Sequence, residues 1–214
     1  MHYKKLLEAH KVYYSSGEGV WYYDEYMKEK NWHAWEKPEL PVIEIMKLFG
    51  FILSWDPHFE GVLGKFKQAY EEIDPVIRSL KQEGIENINL RDEKVERNIR
   101  EVFEKVANCA LKFESTDASK ILHTILPRLF VMWDRKIRQG LLGDRNRMYG
   151  KDYVDCFLPR MQEELDEAIG SCVLENDSPR EEAIRKICKL CDDKTLPKLI
   201  DEFNWVKYTL KKEI

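Results

Sequence analysis

The sequence predicts an all-α fold, and three observations carry the prediction. Apolar residues recur at three- and four-residue spacing over most of the chain, no run alternates strongly enough for a strand, and Pro, Gly and Ser fall between the periodic stretches. At 214 residues the chain can build one sizeable core, so residues 1–214 are expected to form a single helical unit. Hydrophobic residues at 43%, of which aromatics are a large part, exclude disorder. Charged residues at 35% predict a solvated surface laced with ion pairs.

Taken in order, residues 1–37 are rich in aromatics, with Tyr13, Tyr14, Trp21, Tyr22, Tyr23, Tyr26, Trp32 and Trp35 in a short span. Ser15 to Gly19 reads as a turn between two short helices. These rings, interleaved with Lys28, Lys30 and Lys37, can stack on bases or anchor the segment to the core. Pro38 and Pro41 bracket a linker. Val42 to Trp55 is apolar almost all round and predicts a buried helix that Trp55-Asp-Pro57 ends. A long helix is expected from about Phe59 to Gln82, kinked or broken at Pro75, with a loop at Gly84 and Asn87. Arg91 to Lys112 makes a charged amphipathic helix with Val95, Ile99, Val102, Val106 and Ala110 facing inward.

Residues 115–143 then form a helix-turn-helix pair. Ser115 or Thr116 can cap a helix whose inward positions are Ile121, Leu122, Ile125, Leu126 and Leu129, with Lys120, His123 and Thr124 opposite. Pro127 stops that helix near Leu126, and Trp133, Ile137 and Leu141 repeat along the second, beside Asp134 and Arg138. Gly140, Gly143 and Gly150 predict a loop at its end. Further helices are expected over Tyr153 to Ile169, from Asp177-Ser-Pro to Asp192 or Asp193, and from Leu196 to Lys211.

The net charge of −4 excludes a polycation that clings to nucleic acid through bulk charge. From Ala118 to Lys151, however, eight bases stand against two acids, an excess of six. Including Asp117, Asp152 and Asp155 at the edges halves it. Cys109, Cys156, Cys172, Cys188 and Cys191 are odd in number and lack the spacing of a secreted scaffold. With no apolar leader core and no stretch of membrane-spanning length, a cytoplasmic protein with no membrane partner is expected. No Walker loop, dinucleotide fingerprint, paired-histidine zinc motif or Ser-His-Asp order is present, so no cofactor and no metal is expected. Cys188-Lys-Leu-Cys191 has the gap of a metal or redox motif but lies within a predicted helix without a second pair, which favours two reduced thiols.

The central pair resembles the endonuclease III class of helix-hairpin-helix DNA glycosylases. In that family a Leu-Pro-Gly-Val-Gly hairpin precedes Lys-Thr-Ala and an apolar helix, then a short turn and Val-Asp-Thr-His-Val. Here Ser119-Lys-Ile-Leu-His-Thr-Ile-Leu126 is similar to the apolar helix, and Phe130-Val-Met-Trp-Asp-Arg-Lys-Ile137 to the second part. The resemblance covers about 30 residues and implies Lys120 as a Schiff-base lysine, Asp134 as the catalytic aspartate, and a two-lobed helical fold. Thr116-Asp-Ala-Ser119 stands where the family has hairpin glycines, Lys136 where it has histidine, and its iron–sulfur cysteines are missing. The chain also resembles uncharacterised helical proteins that share Lys-x-Leu-His, then Pro-x-Leu-Phe, then Asp.

The residues suggest the same chemistry without the family. A lysine in the first turns of a helix has its amine pKa lowered by the dipole and by desolvation. Attack by Lys120 at an anomeric carbon, with Asp134 facing the oxocarbenium charge, is a base-excision step. Arg135, Lys136, Arg138, Arg145 and Arg147 would then hold phosphates, and Trp133 or the N-terminal tyrosines would stack on an extruded base. Each residue also has a plain reading: Asp134 and Arg138 as a surface i, i+4 pair, Lys120 as solvated surface, His123 as a packing or capping histidine, Trp133 as core. The expected function is thus DNA binding with glycosylase-like, altered or lost activity. The alternative is a non-enzymatic helical protein-interaction domain.

Overall fold

The computed structural model describes residues 1–17, 20–37 and 39–214, and every described element is helical apart from an isolated antiparallel bridge between Gly61 and Ala110. The elements are α1 (Tyr3–Ser15), α2 (Val20–Glu29), α3 (Val42–Trp55), α4 (Leu63–Leu80), α5 (Glu93–Ala107), α6 (Ser115–Ile125) and α7 (Arg135–Leu142). They continue with α8 (Gly150–Asp152), α9 (Leu158–Asn176), α10 (Arg180–Lys189) and α11 (Leu196–Asn204). A π-helical turn, Tyr153–Phe157, fuses α8 to α9, and a second, Trp205–Thr209, extends α11. Among the described residues no helix is long and apolar enough to cross a membrane.

Two groups of helices share one buried core. The N-terminal α1 packs on α9 and α11, and α10 packs on α9, so the two ends of the chain form one group. The other runs α2 on α3, α3 on α4 and α6, and α4 and α6 on α5. The helix α7 lies against the π-helical turn that follows α11, where a Cβ on Gly140 would collide with the Tyr208 ring. Gly143 ends α7 in the left-handed region at φ 73°, a conformation that strains other residues.

Several expectations need correction. The turn read over Ser15 to Gly19 and the linker at Pro38 lie partly outside the described residues. The α3 helix has the predicted bounds but buries only one side. Ile45, Leu48, Phe49 and Ile52 enter the core, while Val42, Ile43, Met46 and Leu53 are exposed because its neighbours α2, α4 and α6 leave the outer face uncovered. Pro75 sits inside an unbroken α4: it is exposed, so the carbonyl it leaves unpaired one turn earlier, on exposed Glu71, is open to water. Gly140 is within α7.

The central pair differs in its details. Glu114 caps α6, its side chain accepting from the Thr116 N–H at 2.8 Å, while Ser115 is buried. His123 and Thr124 are also fully buried, because α6 is enclosed by α5, α3 and the N-terminal segment. His123 Nδ1 lies 2.7 Å from the Phe130 carbonyl, which can only accept, so Nδ1 carries the proton and Nε2 accepts from the Tyr23 hydroxyl at 2.8 Å. Burial lowers its pKa to about 3, which fixes it as a neutral bridge between α2 and α6. Lys30 is buried too. Its ammonium meets the Thr124 carbonyl at the end of α6 between the rings of Trp32 and Trp35, 4.1 and 4.4 Å away. Tyr13, Tyr23 and Trp35 are likewise core, whereas Trp21 and Trp32 are exposed.

Candidate active site

Between the two helix groups lies a cavity of about 500 Å³, and both Lys120 and Asp134 line it. Its walls are aromatic: Tyr13 of α1, Tyr22 of α2, Trp55 at the end of α3, and Trp205 beyond α11. Lys120 projects from the second turn of α6, and its Nζ is 3.0 Å from Asp56 Oδ2 and 3.5 Å from Asp117 Oδ1. Asp56 reaches this point because α3 ends there, its backbone turning extended and its Oδ1 accepting from the His58 N–H at 3.1 Å. Burial works against the Asp56 charge, but the Lys120 ammonium outweighs it and holds this carboxyl below the usual range.

Asp134 precedes α7 as its N-cap. Its Oδ1 accepts from the Ile137 N–H at 2.7 Å and its Oδ2 from the Thr209 hydroxyl at 3.2 Å, so the carboxylate is fixed in place without a cation. It makes no ion pair with Arg138, whose guanidinium turns inward to Ser115 and Thr116 hydroxyls at 3.1 and 3.2 Å and over the Trp133 ring. The i, i+4 pair expected between them does not form.

Asp117 is turned inward as well and sits on no exposed hairpin surface. Burial pushes its carboxyl up to about 6, an effect that Lys120 only partly offsets, and its Oδ1 accepts no well-formed hydrogen bond. The folded chain therefore keeps this proton between 3.8 and about 6, where the unfolded chain has lost it. Stability from Asp117 falls as pH rises through that window, and the charge is a net cost above it. Asp117→Asn is expected to match the parent near pH 4 and to exceed it at pH 7.5 by up to about 3 kcal/mol, read from denaturant melts at the two pH values.

The basic residues divide. Arg135, Lys136 and Arg145 are exposed and make no ion pair among the described residues. Arg138 is buried, and Arg147 is occupied by Asp152 at 2.9 Å and the Cys156 sulfur at 2.9 Å. Arg138 is therefore no part of an exposed basic surface, whereas the Arg147 side chain stays 38% exposed although paired. Trp133 touches the cavity but is 1% exposed, its indole N–H donating to the Ser115 carbonyl at 3.2 Å and its ring wedged edge-on against Phe103 and Tyr153. It is core, and the less buried rings that line the cavity are Tyr22, Trp55 and Trp205. Cys188 and Cys191 stand at the end of α10 with thiols pushed up by burial to about 11 and about 12. Among the described residues no group of three or more His, Cys, Asp or Glu is placed to hold a metal ion.

One side of the cavity escapes the sequence reading altogether. Asp201 of α11 lines it, joined at 3.1 Å to Lys198 Nζ, and Lys198 is fully buried over the rings of Tyr13, Tyr23 and Trp55. On a helical wheel Lys198, Asp201 and Glu202 fall on the polar side of α11, away from Leu196, Leu199, Ile200 and Phe203, and nothing local marks that side as interior.

No family model matches this chain, and no curated protein and no solved structure matches it.

Proposed function

We propose that this chain binds DNA and releases a base from it through the Lys120 amine. One observation carries the reading: Lys120 and Asp134, on separate elements, line one aromatic-walled cavity between two helix groups. An extruded nucleotide would stack its base against Tyr22, Trp55 or Trp205. Asp56 and Asp117 are the nearest acceptors for the proton that Nζ must lose. The free amine then bonds to the anomeric carbon while the electron pair of the glycosidic bond leaves with the base. Asp134 faces the positive charge that develops on the sugar. Loss of a further Nζ proton and opening of the sugar ring leave an imine.

The exposed bases beside this cavity suit the phosphates. Arg135 and Lys136 begin α7, directly after Asp134, and both are exposed. Such contacts position a backbone and weaken steeply with salt.

The test is base release from duplexes carrying uracil or an oxidised guanine. Asp134→Asn keeps the helix cap and removes the charge, so it is expected to slow release on the order of 10²–10³-fold with the fold intact. Arg135→Gln with Lys136→Gln is expected to reduce the salt slope of binding by about two. No release and no salt-sensitive binding would remove the reading. A second reading, a helical interaction module without chemistry, draws on the exposed apolar stripe of α3 and on Trp21 and Trp32. It would gain if the duplexes are ignored.

A further inference from the structure

We propose that the cavity is built for a cation: the group that enters it is a flat heteroaromatic ring with a fixed positive charge, an N-alkylated base held in a duplex or free. Its place as a substrate rests on the base-excision reading, while the preference for a cation stands on the charges and rings of the cavity.

The charge balance points that way. Asp56, Asp134 and Asp201 line the cavity against a single base, Lys120, so the lining carries an excess of two negative charges (three acids less one base). The buried cations nearby are already matched. Lys120 lies between Asp56 and Asp117 at 3.0 and 3.5 Å, and Lys198, behind the wall, lies between Asp201 and Glu202 at 3.1 and 3.6 Å. The Arg138 guanidinium, also buried, turns to the hydroxyls of Ser115 and Thr116. Asp134 is the carboxylate left over. The Ile137 N–H and the Thr209 hydroxyl hold it, it forms no ion pair among the described residues, and the start of α7 offers it only about half a positive charge.

The walls suit the same ligand. The face of an aromatic ring attracts a cation within about 6 Å of its centre, most strongly where water is excluded. The chain uses its own rings in this way, the Lys198 ammonium standing 4.3 Å from the Tyr13 centroid and 5.5 Å from that of Trp55. Tyr22 and Trp205, on the same cavity, hold no cation of the chain among the described residues. At about 500 Å³ the cavity has the size of a small-molecule pocket. A flat cation gains there from the ring faces and from Asp134, a neutral ring gains from stacking alone, and an anion is repelled. Phosphates are left to Arg135 and Lys136, outside on the exposed start of α7.

The charge also serves the reaction. Alkylation of a ring nitrogen leaves a purine positively charged. As the Lys120 amine bonds to the anomeric carbon, the electron pair of the broken glycosidic bond passes into the ring and neutralises it, and the positive charge moves to Nζ. The base therefore departs without taking a proton. Once neutral, it has lost the attraction that held it and is free to leave.

The experiment is a titration of the full chain with N1-methylnicotinamide, a pyridinium cation, and with nicotinamide, its neutral counterpart, followed by calorimetry and by the indole N–H signals in ¹H–¹⁵N spectra. The expected result is a preference for the cation of about tenfold or more, with shifts at Trp55 and Trp205. Asp134→Asn and Trp205→Leu, each shown to be folded by its melt, should lower the affinity for the cation several-fold more than that for nicotinamide. Equal affinity for the two compounds, no binding of either, or an equal loss in Asp134→Asn overturns the proposal. Duplexes then separate the sources: one carrying N7-methylguanine is expected to release its base, above its spontaneous loss, faster than one carrying uracil or an oxidised guanine. Faster release of the neutral bases overturns the proposal and keeps the base-excision reading. Preference for the free cation without release from any duplex keeps the proposal and removes that reading instead.

Discussion

Replacing Trp133 with alanine is expected to destabilise the chain by about 3–5 kcal/mol, since a fully enclosed indole leaves a cavity that its surroundings cannot fill. The surroundings are rigid. The ring packs against Phe103, Tyr153 and Phe157 with centroids 5.9, 5.0 and 5.1 Å away, its N–H bonds Ser115, and the Arg138 guanidinium covers it. That loss is a large part of the roughly 5–15 kcal/mol that holds an ordinary domain together. For a chain of this size it corresponds to a fall in Tm of roughly 6–20 °C, measured by calorimetry or circular dichroism. Trp133→Phe, which keeps a ring but loses the bond to Ser115, should lie between the two. A shift within about 0.5 kcal/mol, as for an exposed ring waiting for a base, would overturn its placement in the core.

Lys198→Met is expected to cost about as much, roughly 3–5 kcal/mol, because removing one partner of a buried cluster leaves its acids uncompensated. Asp201 and Glu202 would then face Tyr13 and Tyr23 with no cation between them. The Asp201 carboxyl, already pushed up by burial and now without the Lys198 charge that opposes this, would hold its proton more tightly in the folded chain than in the unfolded one, so the variant's stability falls as pH rises through the carboxylate range. The deficit relative to the parent should be larger at pH 8 than at pH 5, read from urea melts at both. An equal deficit at the two pH values would mean that the Lys198 stem, and not its charge, is what α11 needs.

What was legible in the sequence follows the range of the forces involved. The stop at Pro127 and the span of α3 depend on neighbours a few residues away, and their positions could be read from spacing, whereas the second helix, read as including Trp133 and Asp134, begins only at Arg135 with Asp134 as its cap. The burial of His123 depends on Tyr23, and that of Lys198 on Tyr13 and Trp55, partners that no local period identifies. Polar residues on one helical face read as solvated, and α6 and α11 break that rule because other helices close over them. The pairing of Lys120 and Asp134 in one cavity was expected from a motif, whereas Asp56 and Asp201 came into it from distant segments. Arg138 shows the reverse error: counting charge along the chain placed it on a basic surface, although its guanidinium bonds the start of α6.

Borohydride trapping tests the central claim most directly. The wild-type chain is incubated with a duplex carrying an abasic site, reduced, and digested so that any modified lysine is located by peptide mass. The account predicts a covalent adduct on Lys120 that is absent from Lys120→Arg, which keeps the cation beside Asp56 and Asp117 but cannot form the imine, and present in Lys136→Gln. An adduct that persists in Lys120→Arg, or a folded chain that binds the duplex and forms none, would contradict it.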